Sequence, residues 1–323
     1  MIDKFGRKID YLRISVTENC NLKCIYCIDE NNILNSCNND ILTDDEIVKV
    51  ATECARLGIK KIRITGGEPL VRKNIESLIY KLKCINGIEE IYITTNGVLL
   101  HTKIEDLKKN GLTGVNISLD SLNKDRFKKL TKFDKLQDVL LSIDKALELG
   151  LKVKINTVIV DDINKDEIID FVNLTKDKNL DIRFIELMPI GAAKNYKGTS
   201  NEEINQIINK NFKNIKVENK SKRSGPAKYI RVDNYKGKIG FISPISSCFC
   251  EDCNRIRLTS TGFLKKCLHY NYGVDLKKHI RSNISDKDLN ELIYSNIYDK
   301  PQEHLFMEDC DNKENKYMNQ IGG

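Results

Sequence analysis

Two sets of three cysteines carry the spacing of metal sites: Cys20, Cys24 and Cys27 in ENCNLKCIYC, and Cys250, Cys253 and Cys267 in FCEDCNRIRLTSTGFLKKCL. A structural zinc site wants four protein ligands. Three thiolates instead hold three corners of a [4Fe–4S] cube and leave one iron open, where a small molecule can coordinate. The alternative for the first set is zinc completed by a distant ligand. The four histidines, His101, His269, His279 and His304, are all far from that loop in sequence. For the second set a zinc ribbon would want another cysteine pair. Cys248 is the spare thiol there, and the single residue between it and Cys250 makes its geometry awkward.

Eleven cysteines is an odd number, and the remaining ones (Cys37, Cys54, Cys84, Cys248, Cys310) are scattered. Cys54 falls in register with Ile47, Val50 and Leu57 on an expected helix, so it reads as core. The opening MIDKFGRKID lacks the apolar stretch of a secretory signal. No run approaches 18 apolar residues, so no membrane span is expected. These features point to a cytoplasmic chain in which thiols stay reduced and serve as ligands or small core residues. The net charge of +7 comes from Lys and Arg interleaved with acids rather than from a basic block. That argues against a nucleic-acid surface and fits a basic cleft for a small phosphorylated substrate.

The elements that would position these residues alternate in type. Strand-like segments at 11–17, 59–65, 88–95, 114–120, 151–160 and 181–188 are short and β-branched, with amphipathic helices between them. Thr43 with Glu46 reads as a capping box and Gly58 as that helix's stop. Asn164 with Glu167 reads as a second N-cap, and Gly150 as the end of a helix around 134–149. Six strand–helix alternations imply parallel strands joined by right-handed crossovers. A doubly wound sheet and a TIM-type barrel both satisfy this pattern. No G-x-G-x-x-G follows the first strand, and polar or Gly-rich residues end most strands, which favours a barrel. The expected fold is α/β, a partial (βα)6 TIM-type barrel over 1–193. A smaller α+β region over 194–323 would carry the second cluster, with strands at 228–233 and 238–243 and helix at 275–300.

C-x3-C-x2-C with Tyr26 before its last cysteine, followed by Thr65-Gly66-Gly67-Glu68-Pro69, resembles the radical S-adenosylmethionine (SAM) superfamily. The resemblance implies that SAM chelates the open iron through its amino and carboxyl groups. Electron donation then splits SAM, and a 5′-deoxyadenosyl radical abstracts hydrogen from the substrate. It places Gly67 and Glu68 at the methionyl amino group, Tyr26 near the adenine, and Ser118 and Met188 at SAM. Glycines let backbone approach a ligand closely, although Gly66-Gly67 alone could be a tight turn.

C-x2-C-N-R-x-R-L-T, the later G-x-L-x-x-C-L and the terminal Gly-Gly narrow the resemblance to the MoaA family of GTP 3′,8-cyclases, which act in molybdenum cofactor biosynthesis. This resemblance runs along essentially the whole chain, through KIRITGGEPLVRKN, NISLDSL, IRFIELMPIG, SGPAKY and KPQEHLF. It implies two [4Fe–4S] clusters, the second binding the guanine of GTP. It assigns GTP contacts to Arg13, Arg63, Thr94, Lys154, Arg183, Arg255, Ile256 and Arg257, and a flexible tail to Gly322 and Gly323. Arg13, Arg63 and Arg183 each interrupt an apolar strand, where a charge is costly unless a ligand or carboxylate meets it. The implied reaction abstracts the ribose C3′ hydrogen and closes C3′ onto C8, giving 3′,8-cyclo-7,8-dihydro-GTP. Implied partners are a flavodoxin- or ferredoxin-type electron donor and the downstream cyclic pyranopterin monophosphate synthase, with the chain a monomer or homodimer. Two positions depart from the family pattern: Asn19 stands where Arg or Lys is usual, and Ile28-Asp29 replaces Met-Pro. The rival enzyme reading is a radical SAM peptide maturase with an auxiliary cluster. The rival outside enzymes is an iron–sulfur electron carrier, which would need fully ligated clusters.

Overall fold

The computed structural model describes residues 1–27, 41–219, 225–306 and 314–322. Six strands fall where the β-branched segments predict them: β1 (Tyr11–Ser15), β2 (Lys61–Thr65), β3 (Glu90–Thr95), β4 (Gly114–Ser118), β5 (Lys152–Thr157) and β6 (Leu180–Ile185). The C-terminal region adds β7 (Ile215–Glu218), β8 (Lys228–Val232), β9 (Lys238–Ile242), β10 (Arg255–Leu258), β11 (Phe263–Lys265) and β12 (Gly273–Asp275). Of these, β8 and β9 match expectation, while β7 and β10 to β12 have no counterpart in the sequence reading. All twelve form one sheet in the order β12-β11-β10-β1-β2-β3-β4-β5-β6-β9-β8-β7.

Strands β1 to β6 pair in parallel, each with its neighbour in sequence. A doubly wound sheet would reverse its order part-way. Unreversed order puts the crossover helices on one face and curls the sheet about the other, the partial barrel that was expected. The C-terminal region prolongs both edges of the parallel array: β10 pairs in parallel with β1, and β9 with β6.

Period-2 alternation in each strand separates two faces. Leu12, Ile14, Ile62, Ile64, Ile91, Ile93, Val115, Ile117, Ile155, Ile182 and Phe184 point to the helices and are fully buried. They meet apolar residues of α1 (Asp44–Arg56), α2 (Ile75–Lys83), α3 (Leu100–Lys109), α4 (Lys124–Thr131) and α5 (Leu136–Glu148) in a single core. The short α6 (Asp161–Asn164), α7 (Ile168–Asp177) and α8 (Asn201–Asn211) follow. After β12 come α9 (Leu276–Arg281), α10 (Asp286–Tyr298) and the short α11 (Met318–Ile321). Cys54 on α1 is fully buried in the core.

The Thr43–Glu46 capping box forms as read: the Glu46 amide donates to Thr43 Oγ1, and the Thr43 amide donates to Glu46 Oε2 at 2.8 Å. Gly58 and Gly150 follow their helices at φ 95° and 68°, in the left-handed region that glycine enters freely. Asn164 corrects the sequence reading. It stands at the N-cap of the 3-10 turn Lys165–Glu167 but makes no side-chain capping bond; its side chain accepts from the Val160 amide and donates to the carbonyls of Asp120 and Val158. Glu167 instead accepts from the Ser121 hydroxyl and the amides of Leu122 and Asn123. Both residues are buried, so an apparent capping pair ties loops together.

Candidate active site

The second face of the sheet is polar and lines one cavity of about 810 Å³, within the range of small-molecule sites. Its wall contains all six cysteines of the two sets. It also contains Tyr26, Gly67, Ser118 and Met188 of the expected SAM contacts, and Arg13, Arg63, Thr94, Lys154, Arg183, Arg255 and Arg257 of the expected GTP contacts. The reason is parity. Arg13, Arg63, Thr94, Lys154 and Arg183 lie on the face that alternates away from the helices.

Three expected residues sit differently. Ile256 lies between Arg255 and Arg257, so its side chain turns into the apolar core and is fully buried there; a ligand could meet only its backbone. The Glu68 carboxylate is also fully buried. It accepts from the Thr95 hydroxyl and from the amides of Leu70 and Asn96, tying the end of β2 to the end of β3. Burial pushes it up to about 7, and the bonds from Asn96 and Thr95 work against the rise. Gly323, like Ile28, Asp29, Cys37 and Cys310, lies outside the described residues.

The basic row has a defined register. Arg13 on β1 stands directly opposite Arg257 on β10 and Arg63 on β2. Aromatic rings hold several of these cations. Arg63 lies 5.6 Å from the Tyr11 ring and 5.4 Å from the Tyr92 ring. Arg183 donates to the Tyr229 hydroxyl at 2.7 Å, and Arg255 lies 5.0 Å from the Phe249 ring. Lys154 pairs with Asp181 at 3.4 Å, yet burial and then the nearby Arg183 charge bring it down to about 8. These aromatic partners were absent from the sequence reading. Their signal was present, since Tyr11 and Tyr92 lie two residues from Arg13 and Thr94 on the same strand face.

The donor sets fit the groups that the resemblance implies. Cys20, Cys24 and Cys27 all line the cavity near enough to feel one another's charge, and burial, first of all, pushes Cys20 up to about 11 and Cys27 to about 12. Cys253 differs: burial opposes ionisation, but Arg255 and Lys300 bring it down to about 6. Among the buried polar side-chain atoms that lack a hydrogen-bond partner in the described residues, Arg63 Nε, Asn116 Oδ1 and Asn156 Oδ1 belong to residues of the cavity wall. Buried polar groups are normally satisfied, so such orphans mark where a ligand's polar atoms belong.

A family model described as Radical SAM superfamily matches residues 14–175, and one described as Molybdenum Cofactor Synthesis C matches 180–306. GTP 3′,8-cyclases from Clostridium perfringens (strain 13) and Clostridium botulinum (strain Okra) are 53% and 48% identical, each over the full length of both chains. The chain belongs to the GTP 3′,8-cyclase family. That of Desulforamulus reducens is 46% identical over the same extent. Among solved structures, Streptococcus suis SuiB bound to S-adenosylmethionine superposes with a TM-score of 0.65 at 17% identity, covering 90% of this chain and 67% of that one. At that identity the likeness shows the fold alone.

Within this GTP 3′,8-cyclase family chain, Gly66 and Gly67 are explained by protein packing. A Cβ on Gly67 would stand 2.4 Å from the Asn19 carbonyl oxygen and 2.5 Å from that of Glu18; on Gly66 it would meet the Thr17 oxygen at 2.6 Å. The Gly67 and Glu68 amides donate to the carbonyls of Thr17 and Asn19 at 2.8 Å. The turn after β2 therefore braces the loop that presents Cys20. Gly67→Ala is expected to displace that loop, because neither oxygen can rotate away. Iron bound at the first site should fall, and SAM cleavage should drop by on the order of a hundredfold, the usual cost of about 1 Å of misplacement. Iron analysis with electron paramagnetic resonance would check this, and unchanged iron and cleavage would count against the bracing role.

The C-terminal segment reaches both ends of the site. The Asn319 amide donates toward the Cys27 sulfur, and its side chain donates to the Glu18 carbonyl. Arg257 Nη1 donates to the Gly322 carbonyl at 2.8 Å. A Cβ on Gly322 would lie 2.7 Å from Thr65 Oγ1, so the tail enters against the ends of β1 and β2. Lys265 and Glu314, both buried, form the ion pair that fixes this segment to β11.

Proposed function

We propose that this chain is a radical SAM GTP 3′,8-cyclase, converting GTP to 3′,8-cyclo-7,8-dihydro-GTP at the head of molybdenum cofactor biosynthesis. The observation that carries the proposal is one cavity whose wall holds both cysteine sets with a basic row between them. Cys20, Cys24 and Cys27 would hold the first [4Fe–4S] cluster, and Cys250, Cys253 and Cys267 a second one for the guanine. SAM at the first site supplies hydrogen-atom abstraction when bound.

The remaining work falls to side chains. Gly67 would present backbone to the methionyl group, with Tyr26 near the adenine and Ser118 and Met188 in contact with SAM. Tyr26 is oriented by donating to Asp120. Glu68 acts as a strut beneath this end. Arg13, Arg63, Lys154, Arg183, Arg255 and Arg257 neutralise the triphosphate and orient the base, with Thr94 beside Arg63. Charge-assisted bonds of this kind contribute about 1.5–3 kcal/mol each. Holding the ribose in one pose brings C3′ and C8 into reach and excludes water. Gly322, with Gly323 beyond it, closes the site from the tail. Residues 1–193 would form the barrel that holds SAM and most of the basic row, and 194–323 would add the second cluster and the Gly-Gly tail. A reduced flavodoxin or ferredoxin would deliver electrons, a cyclic pyranopterin monophosphate synthase would take the product, and the compartment is the cytoplasm. No described helix is long and apolar enough to cross a membrane.

Lys154 gives a pH prediction. It is surrounded by Arg183, Asp181, Lys61 and Tyr229. A lysine is charged below its pKa, so its attraction for triphosphate is present below about 8 and is lost as pH rises through that value. KM for GTP is expected to climb above about pH 8, and Lys154→Met should raise KM and flatten the climb. Measuring KM across this range in both proteins tests it; identical profiles would sink the assignment.

The function itself is tested by anaerobic reconstitution with SAM, GTP and dithionite. 5′-Deoxyadenosine and the cyclised nucleotide should form together. If 5′-deoxyadenosine forms only with a cysteine-containing peptide and never with GTP, the chain is a maturase; if SAM stays intact, no radical SAM reading survives.

A further inference from the structure

Among the described residues a further metal-capable group stands beside the second cysteine set. Cys248, Cys250 and His304 each offer one donor atom, and these atoms lie within 4.8 Å of one another. Two sulfurs and a nitrogen on one tetrahedral ion stand about 3.5–4 Å apart, given metal–sulfur and metal–nitrogen bonds of about 2.3 and 2.1 Å. Small side-chain adjustments therefore complete the set. Both ring nitrogens of His304 are shut off from solvent, and the Pro244 carbonyl beside the ring can accept from only one of them, so the other is left for a ligated ion. The ring is wedged against Phe306 at 4.5 Å and faces His269 at 6.3 Å, which fixes its plane.

The two segments are joined without any metal. Arg7, held by Asp3 at 2.7 Å, donates to the carbonyls of Cys250 at 3.0 Å, Gln302 at 2.7 Å and Pro301 at 2.6 Å. One buried guanidinium thus clamps the cysteine turn to the strand of chain carrying His304. A prearranged Cys–Cys–His set with its fourth position left for water suits a thiophilic divalent cation.

We propose that Cys248, Cys250 and His304 form a binding site for a single divalent cation of the zinc class. Cys250 belongs also to the set with Cys253 and Cys267, so this ion and a second cluster exclude one another. Loading that set with iron and sulfide therefore requires the ion to leave. Only the exclusion rests on reading 250, 253 and 267 as cluster ligands; the cation site does not.

The test uses the full chain, freed of iron anaerobically and loaded with Co²⁺ as the zinc probe. Proton NMR should show hyperfine-shifted imidazole signals, which need a histidine ligand; no histidine lies among the cavity residues at Cys20, Cys24 and Cys27. His304→Gln should abolish these signals and Cys248→Ser should weaken Co²⁺ affinity at least tenfold, while Cys253→Ser and Cys267→Ser leave the signals in place. Restoring iron and sulfide should displace the Co²⁺. Signals that persist in His304→Gln, or that vanish equally in Cys253→Ser, would overturn the proposal, as would their absence from the parent chain. GTP turnover is recorded separately, so failure of the cation site and failure of the cyclase reading give different results.

Discussion

Cys267→Ala is expected to eliminate the cyclised product while leaving SAM cleavage partly intact and uncoupled from GTP. The six cysteines line one cavity, but their neighbours differ. Cys20 contacts Asn96 and the Leu22 amide, whereas Cys267 and Cys253 lie in the field of Arg257. On the proposed assignment Cys267 is a ligand at the substrate end, and its removal leaves the bracing of the Cys20 loop by Gly66 and Gly67 untouched. With the second cluster holding the guanine as proposed, its loss misplaces the ribose, and product formation should fall by on the order of a hundredfold or more. The variant should also lose about four irons per chain. Quantifying 5′-deoxyadenosine, product and iron in one preparation decides it. Equal loss of cleavage and product would contradict separate duties for the two sets.

The second large effect concerns stability. Arg257, Arg13 and Arg63 stand side by side on β10, β1 and β2. Like charges directly opposite on a sheet repel. Burial, then Arg257, holds Arg13 well below its ordinary range, and burial, then Arg255, brings Arg257 to about 10. A polyanion relieves the row. GTP at a hundredfold excess over Kd should stabilise the folded chain by about 2.7 kcal/mol, raising Tm by roughly 5 °C for a chain of this size. Tripolyphosphate should reproduce much of the shift, and salt should weaken it. Arg13→Gln should melt higher than the parent without ligand and respond less to GTP. A variant that melts lower unliganded would show that the row does not store repulsion.

Much of this was legible beforehand because its rules are local. Strand period, the Thr43–Glu46 box, the glycine stops and the cysteine spacings each live within a few residues. Parity decided the rest. Reading RIR as a strand would have separated Arg255 and Arg257 from Ile256, but β10 is four residues long and half of them are charged, so no apolar run announced it. The Tyr229 ring beside Arg183 lies 46 positions away, and the clamp of Arg7 on Cys250 spans 243 positions. Asn164 and Glu167 carried a capping pattern that buried loop carbonyls and amides claimed first. Distance along the chain, rather than weakness of interaction, hid these features.

The placement of β10 beside β1 has a consequence in time. The first strand leaves the ribosome almost at once, yet its outer neighbour ends at Leu258. At about 5–20 residues per second, that edge waits on the order of ten seconds or more for its partner. A bare strand edge is a template for mispairing, and a pairing this remote in sequence forms slowly. The loop bearing Cys20 to Cys27 is made during this wait, with β2 and its glycine brace following soon after. The nascent polypeptide can thus set the Cys20 loop against its glycine brace while β10 and the C-terminal segment that later packs on both are still untranslated, and the order of synthesis becomes an order of assembly.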